Sequence, residues 1–175
     1  MYNCNVPENN SLKSEIEELL KLCEKSECEG LGKSYFEGPT EESKISKWEE
    51  ENGVKIPESY KEWLRVSEKC QIDGTTATFW GPDEFNSNYV PDDFVVIGEM
   101  IGDGEVVCFS KKTGEIINFF EGHITEEHES FSKIIKEIIE LLRGEFGLSE
   151  EAKELFMKFA QKSLEKKQQK EGEEI

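Results

Sequence analysis

Basic residues are missing from the middle of this sequence. Between Gln71 and Ser110 there is no Lys or Arg, while eight acidic residues fall in the same stretch. This stretch therefore contributes −8 to the formal net charge of −18 carried by the 175-residue chain. A field of this sign repels nucleic acid and anionic membranes, and it accelerates association with a basic protein in a salt-dependent way. The alternative is that the acidic residues serve solubility alone.

Long apolar runs are absent as well. No stretch approaches the roughly 18 consecutive apolar residues of a membrane span. The first residues, Met1 to Asn5, have neither the basic start nor the apolar run of a signal peptide. We therefore expect a soluble, cytoplasmic protein. A chain of 175 residues can build one sizeable core, so we expect one domain with terminal extensions.

Motifs for catalysis and metal binding are also lacking. The five cysteines form no Cys-x-x-Cys pair, so neither a zinc knuckle nor a complete disulfide framework is indicated. The only two histidines, His123 and His128, are separated by four residues where one helical face would need three, and we interpret both as exposed loop residues. No glycine pattern fits a phosphate cradle, and no serine lies in a Gly-x-Ser-x-Gly elbow. We predict no catalytic residues, no cofactor and no metal site, and leave open a carboxylate pair that only the fold would bring together.

Two helices joined by a tight corner are predicted between Ile45 and Leu64. Ile45 and Trp48 lie one helical turn apart, and Gly53 can supply the left-handed residue that ends a helix. Pro57 suits the first turn of the next helix, in which Tyr60 and Trp63 share a face. A further amphipathic helix, starting near Ser11, precedes this pair.

After Gly74 the pattern changes to short runs of β-branched and aromatic residues separated by turn residues. These runs predict at least four strands, at Thr75 to Trp80, Phe94 to Ile97, Glu105 to Phe109 and Glu115 to Phe119. An amphipathic helix from Phe131 to Leu142, ended by Gly144, would cover the sheet, and one more helix follows Ser149. Helices kept apart from an antiparallel sheet define an α+β fold.

The order Trp48-Glu49, Gly53, Ile56-Pro57, Tyr60, Trp63-Leu64 resembles the opening motif of the SMI1/KNR4 family of the SUKH superfamily. A second block resembles the family's glycine- and acid-containing turn that leads into a strand: Ile97-Gly98, Gly102-Asp103-Gly104-Glu105, Val107-Cys108-Phe109. Where the family often has Asn-Gly after the second helix, this chain has Lys69-Cys70-Gln71-Ile72-Asp73-Gly74. The resemblance implies a SUKH-like α+β fold. We expect an N-terminal helix and loop over residues 1–38, an SMI1/KNR4-like domain over 39–144, and a C-terminal helix with a charged tail over 145–175.

The resemblance also implies a protein-binding module, since bacterial members of the family act as immunity proteins that neutralise a cognate toxin, often a nuclease. A nuclease is basic where it grips phosphates, so a carboxylate-lined surface can compete for that groove. We expect a basic toxin domain as partner, with no binding of nucleic acid or membrane, and a monomer or homodimer. The expected partner-binding residues are Trp80, Asp83, Glu84, Tyr89, Asp92, Asp93, Asp103 and Glu105.

Three alternatives stay open at this point. Trp80 could end a strand and pack inward instead of anchoring a partner. Asp92-Asp93 and Asp103-x-Glu105 could be read as an acid/base pair or as cation ligands, but neither matches a calcium loop. Gly102-Asp103-Gly104 fits a hairpin turn instead. The chain could also be an intracellular scaffold or regulatory adaptor, as eukaryotic relatives in the family are taken to be. In that case Leu155, Phe156 and Phe159 of the last predicted helix would mediate docking or dimerisation.

Overall fold

Four α-helices lie within the part of the chain that the computed structural model describes, which is residues 2, 4–74, 76–100 and 104–144. They are α1 (Lys13–Cys28), α2 (Glu42–Asn52), α3 (Glu58–Leu64) and α4 (Phe131–Arg143). These correspond to four of the five predicted helices. The fifth, beyond Ser149, lies outside the described residues. None of the described helices is long and apolar enough to cross a membrane.

Seven strands form one antiparallel sheet, in which each strand pairs with the next one along the chain. They are β1 (Tyr35–Phe36), β2 (Cys70–Ile72), β3 (Ala77–Phe79), β4 (Phe94–Met100), β5 (Glu105–Ser110), β6 (Ile116–Phe120) and β7 (His123–His128). The predicted α+β class, an antiparallel sheet of four or more strands with helices, is confirmed. The three strands that the sequence did not indicate are β1, β2 and β7.

The sheet has an apolar cluster on each face, because successive side chains of a strand point to opposite sides. The face toward the helices carries the main core, in which Trp63, Phe109 and Phe131 are at most 1% exposed. The opposite face carries a smaller group, the outer-face cluster, made of Val96, Val106, Cys108, Ile117 and Phe119.

The corner between α2 and α3 has the predicted geometry. Gly53 lies in the left-handed region at φ 63° and ends α2, and Pro57 directly precedes α3. The carboxylate of Glu49 accepts a hydrogen bond from the Ile56 amide at 3.0 Å. The Tyr60 hydroxyl donates to the Trp80 carbonyl at 2.8 Å and lies 3.2 Å from the Ile97 carbonyl oxygen. The corner therefore fixes α3 against β4 and the end of β3.

The last hairpin turns on two residues of positive φ, Glu121 at 46° and Gly122 at 86°. Phe120 pairs with His123 across this turn, which is the arrangement of a type I′ hairpin. β7 is an end strand of the sheet, and its charged side chains suit a strand that should not recruit another chain.

Helix α4 packs against α1 on the helical side of the sheet. The Ser130 hydroxyl accepts a hydrogen bond from the Ser132 amide and so caps the start of α4. Gly144, at φ 70°, ends the helix as predicted. The Ser132 hydroxyl lies 3.2 Å from a carboxylate oxygen of Glu15, which links the start of α4 to α1.

Candidate functional site: an acidic loop and a carboxylate-histidine cluster

Most of the expected binding residues lie in one segment, residues 81–93, which we call the acidic loop. It leaves β3 after Trp80 and forms a short 3-10 turn at Pro82–Glu84. It then returns to the sheet, where the Val96 amide donates to the Asn86 carbonyl at 2.7 Å. The loop therefore runs beside the first half of β4 and is held at both ends by backbone hydrogen bonds.

Phe85 fixes the first half of the acidic loop to the main core. Its ring centroid lies 5.2 Å from that of Trp48, in an edge-to-face arrangement, and 6.3 Å from that of Phe109. Such pairs add about 0.5–1.5 kcal/mol beyond the burial of their area. The packing of Phe85 therefore holds the neighbouring residues Asp83 and Glu84 in place.

Several carboxylates of the acidic loop are paired with lysines from other parts of the chain. Asp83 lies 2.8 Å from Lys44 Nζ, and Glu84 lies 2.7 Å from Lys69 Nζ. The third pair joins Asp93 to Lys112 at 2.7 Å. Exposed pairs of this kind contribute little to stability. They do offset the charge of the loop locally, because the lysines missing between Gln71 and Ser110 in the sequence come from neighbouring elements in space.

Asp92 and Tyr89 are both exposed residues of the acidic loop. Lys111 Nζ donates to the backbone carbonyl of Asp92 at 2.6 Å, and within the described part of the chain the Asp92 carboxylate has no ion-pair partner. The Tyr89 side chain is 91% exposed, and its backbone lies at φ 65°. A bulky residue at positive φ is rare outside strained or functional positions. This part of the loop thus presents an exposed aromatic ring and, three residues further on, an exposed carboxylate that has no lysine partner among the described residues.

Trp80 is half-buried and packs on the outer-face cluster together with Val90 and Phe94. Its indole Nε1 is buried and has no hydrogen-bond partner among the described residues. Its position is thus the inward-packed alternative, at the end of β3. The loop residues Tyr89 and Asp92 extend further into solvent.

Glu105 lies apart from the acidic loop. It pairs with Met100 at the far end of β4, whereas Asp93 directly precedes Phe94 at the near end. Seven strand residues separate these ends by roughly 20 Å. Glu105 instead accepts a hydrogen bond from the Thr125 hydroxyl of β7 at 3.2 Å. Asp103, the remaining expected residue, lies outside the described residues.

The two histidines lie in strand β7, so their interpretation as loop residues is wrong for both, and the expected exposure is also wrong for His128. Its side chain is only 8% exposed and faces α4, whereas His123 is exposed at the start of the strand. Glu126 and Glu137 approach the same imidazole, with carboxylate oxygens 3.6 and 3.5 Å from His128 Nε2. Helical spacing does not reveal this group, because Glu126 and His128 lie on a strand, where residues two positions apart share one face.

Burial shapes the titration of this carboxylate-histidine cluster, which we define as Glu126, His128 and Glu137. Desolvation lowers the pKa of His128, although the Glu126 charge opposes the shift. Desolvation also raises the pKa of Glu137 to about 7, assisted by the negative charges of Glu126, Glu105 and Glu140. The fold has therefore brought two carboxylates close together, which the sequence alone left open.

An open groove of about 360 Å³ borders the cluster. Its lining combines both charges with hydroxyl groups, from Glu127, His128, Glu129, Ser130, Ser132, Lys133 and Lys136. The groove gives solvent access to the start of α4 beside His128.

The described cysteines have no catalytic setting. Burial raises the pKa of Cys23 to about 11 and that of Cys108 to about 12, so both thiols stay protonated at neutral pH. Cys28 is exposed, and the cysteines are all free thiols. Nothing in this set indicates a nucleophile.

Residues 39–137 match the family model of the SMI1 / KNR4 family (SUKH-1). The match covers more than half of the chain, and it includes the corner between α2 and α3, the acidic loop and most of the sheet. No curated protein matches the chain.

Proposed function

Because the chain belongs to the SMI1/KNR4 (SUKH-1) family, which includes immunity-like protein-binding domains, we propose that it is an immunity protein that neutralises a cognate toxin. The partner is a basic toxin domain, such as a nuclease, and it binds the acidic loop. The observation that carries this proposal is Tyr89, an aromatic side chain 91% exposed at positive φ within that loop.

An exposed aromatic ring in an acidic loop fits what binding hot spots require. Aromatic residues supply most of the energy of an interface when a partner covers them, and the surrounding charges steer the encounter. A partner that covers Tyr89 disrupts few contacts within the protein, because the side chain is 91% exposed in the free protein. Positive φ at this residue costs free energy that the fold offsets elsewhere, which is typical of functional positions.

The carboxylates of the loop differ in how much a basic partner would gain by binding them, because some are already paired with lysines. Asp83, Glu84 and Asp93 must exchange a lysine for a basic group of the partner, so their net gain is small. Asp92 has no such exchange to make within the described structure, and we assign it the largest electrostatic share. Trp80 packs beneath the loop on the outer-face cluster, and Glu105 would be reached only by a partner that extends along the sheet.

The test is association with the C-terminal domain of the protein encoded by the neighbouring open reading frame, measured by surface plasmon resonance at low and at physiological salt. We expect the on-rate to fall several-fold at higher salt, and Asp92→Asn with Asp93→Asn to lower it further. The matched control is Glu50→Gln with Glu51→Gln on α2, which removes the same charge away from the loop. Tyr89→Ala should raise the off-rate, since it removes the anchor.

Two results would overturn the proposal. One is a toxin complex whose rates do not change with salt or with the loop variants, which would place the interface elsewhere. The other is failure of the chain to protect cells that express the toxin domain, while the purified chain remains folded. Binding of a housekeeping protein through the last predicted helix would favour the adaptor role instead.

A further inference from the structure

We propose that Glu126, His128 and Glu137 form a binding site for a divalent transition-metal ion, best fitted to Zn²⁺, between β7 and α4. This site is separate from the acidic loop and does not depend on the toxin. It replaces the expectation from sequence that the chain has no metal site.

The arrangement of donor atoms carries the proposal. His128 Nε2 lies 3.6 Å from a Glu126 oxygen and 3.5 Å from a Glu137 oxygen, and all three donors fall within 4.8 Å of one another. Ligands about 2.1 Å from a tetrahedral zinc ion are separated by roughly 3.4 Å. Both distances to the imidazole are thus already those of a metal-ligand edge. They exceed the 2.7–3.2 Å of a protein hydrogen bond.

His128 supplies the independent sign that a ligand belongs here. Its side chain is 92% buried, given the 8% exposure, and its Nε2 has no hydrogen-bond partner among the described residues. A buried polar nitrogen without a partner costs free energy, and a metal ion in the gap would satisfy it. The carboxamide oxygen of Asn118 is a second buried atom without a described partner, and Asn118 pairs directly with Glu126 across the sheet.

The backbone presents the three ligands from rigid elements. Glu126 and His128 are two residues apart on β7, so both point toward α4, and Glu137 lies in the middle of that helix. Only Glu126 must move to bring its carboxylate oxygen to the same distance from that of Glu137, and its side chain is 57% exposed and free to rotate. An ion would therefore join an end strand of the sheet to the helix that covers it.

Charge and donor type favour a dication. Glu105 and Glu140 lie within electrostatic range of Glu137, and among the described residues the cation Lys133 acts on both Glu137 and His128. One imidazole and two carboxylates are the donors that zinc accepts, with a fourth position left for water. Calcium would need six to eight oxygen ligands, which these three side chains do not supply.

The experiment uses the full chain, freed of metal with a chelator and kept reduced. Zn²⁺ is titrated in competition with a chromophoric chelator, and Co²⁺ serves as a spectroscopic probe. We expect one equivalent of Zn²⁺ to bind and to raise the thermal midpoint. The Co²⁺ spectrum should show tetrahedral d–d bands without the charge-transfer band of a thiolate, which separates this site from binding at a cysteine such as Cys28.

Variants locate the ion. Glu126→Gln and His128→Gln should each lower the affinity at least about tenfold, since even outer-shell partners of a metal are worth 10–100-fold. Glu126 is largely exposed, so Glu126→Gln tests the site even where loss of the buried imidazole impairs folding. The matched controls are His123→Gln at the exposed start of β7, and Glu127→Gln, which alternates to the other face of the strand. Both controls should bind as the parent protein does.

The proposal is wrong if Zn²⁺ shows no saturable binding, or if Glu126→Gln binds it as tightly as the parent protein. It is equally wrong if Co²⁺ gives a thiolate charge-transfer band that survives Glu126→Gln, because the ion would then sit on cysteine.

Discussion

Glu49 and Asp92 both end in a carboxylate, but one lies buried at the corner between α2 and α3 and the other lies exposed on the acidic loop. The Glu49 side chain is 6% exposed and is held by Lys55 Nζ at 2.6 Å, Lys61 Nζ at 2.8 Å and the Ile56 amide at 3.0 Å. Asp92 lies exposed on the acidic loop, where Lys111 donates to its backbone carbonyl and no ion pair within the described part of the chain holds its carboxylate. The buried carboxylate fixes the corner between α2 and α3, whereas the exposed one faces solvent.

Glu49, the acidic residue of the motif at Trp48-Glu49, has a structural role at the corner. Glu49 sits in the last turns of α2 and reaches across the corner to the chain that enters α3. It thereby satisfies an amide that lies outside regular secondary structure and orders the segment between Gly53 and Pro57. An acid at this position is structural, and a count of acidic residues cannot separate it from the acids of the loop.

Glu49→Ala should have the largest effect on stability. It should lower the free energy of unfolding by about 3 kcal/mol, because a buried amide and Lys61, whose side chain is 16% exposed, lose their acceptor. Urea unfolding measures the change. The control Glu50→Ala removes an exposed carboxylate one residue away and should stay within about 0.5 kcal/mol of the parent protein. Equal losses in both variants would show that Glu49 does not hold the corner.

The same carboxylate should make stability depend on pH. Burial acts to raise the pKa of Glu49, but hydrogen bonds from Lys55, Lys61 and Ile56 outweigh it, and the folded-state pKa lies below the ordinary value of 4.5. The stabilisation is therefore complete above about 4.5 and is lost as the pH falls through the folded-state pKa. The stability difference between the parent protein and Glu49→Gln, measured by urea unfolding, should shrink below that pH. A difference that stays constant from neutral to acid pH would contradict this sign.

The sequence predicted the corner well because its determinants are local. Gly53 needs only its own left-handed conformation, and Pro57 needs only its position ahead of a helix. The amphipathic period of α4 was equally sufficient, since one helical face carries the buried residues. Where one residue or one period fixes the geometry, no knowledge of distant contacts is required.

The parts that the sequence did not predict depend on distant contacts. β7 has the polar sequence His-Ile-Thr-Glu-Glu-His, so it lacks the apolar alternation of a half-buried strand, and only Glu121-Gly122 marked the hairpin before it. The partners of the acidic loop, Lys44, Lys69 and Lys112, lie on other elements. Glu137 meets His128 only once α4 covers the sheet. Charge summed along the sequence therefore overstated the acidity of the loop and hid the cluster at β7.

A smaller effect tests the link between the corner and the sheet. Tyr60→Phe removes the hydroxyl that donates to the Trp80 carbonyl at 2.8 Å, directly before the acidic loop begins. We expect the free energy of unfolding to fall by about 1–2 kcal/mol, the cost of leaving the Trp80 carbonyl without its donor. The Ile97 carbonyl keeps a partner, because it accepts a hydrogen bond from the Trp80 amide at 3.1 Å. Thermal unfolding measures the loss, and Tyr35→Phe, at a half-exposed ring in β1, is the matched control. If Tyr60→Phe is as stable as the control, the hydroxyl does not couple α3 to the loop.

The smallest expected effect on stability belongs to Tyr89, and it separates the two regions most cleanly. Tyr89→Gly relieves the positive φ of 65°, which costs a non-glycine residue about 1–2 kcal/mol, but it adds about 0.5–1 kcal/mol of chain entropy to the unfolded state. The net change in the free energy of unfolding should be a gain of roughly 0.5 kcal/mol. Tyr89→Ala keeps the strain and should match the parent protein in stability, because the ring is 91% exposed.

Both variants should weaken toxin binding equally, since both remove the aromatic anchor. A stability loss above about 1 kcal/mol in either variant would show that Tyr89 supports the fold, as Glu49 does, and would remove the loop's strongest claim to be a binding surface.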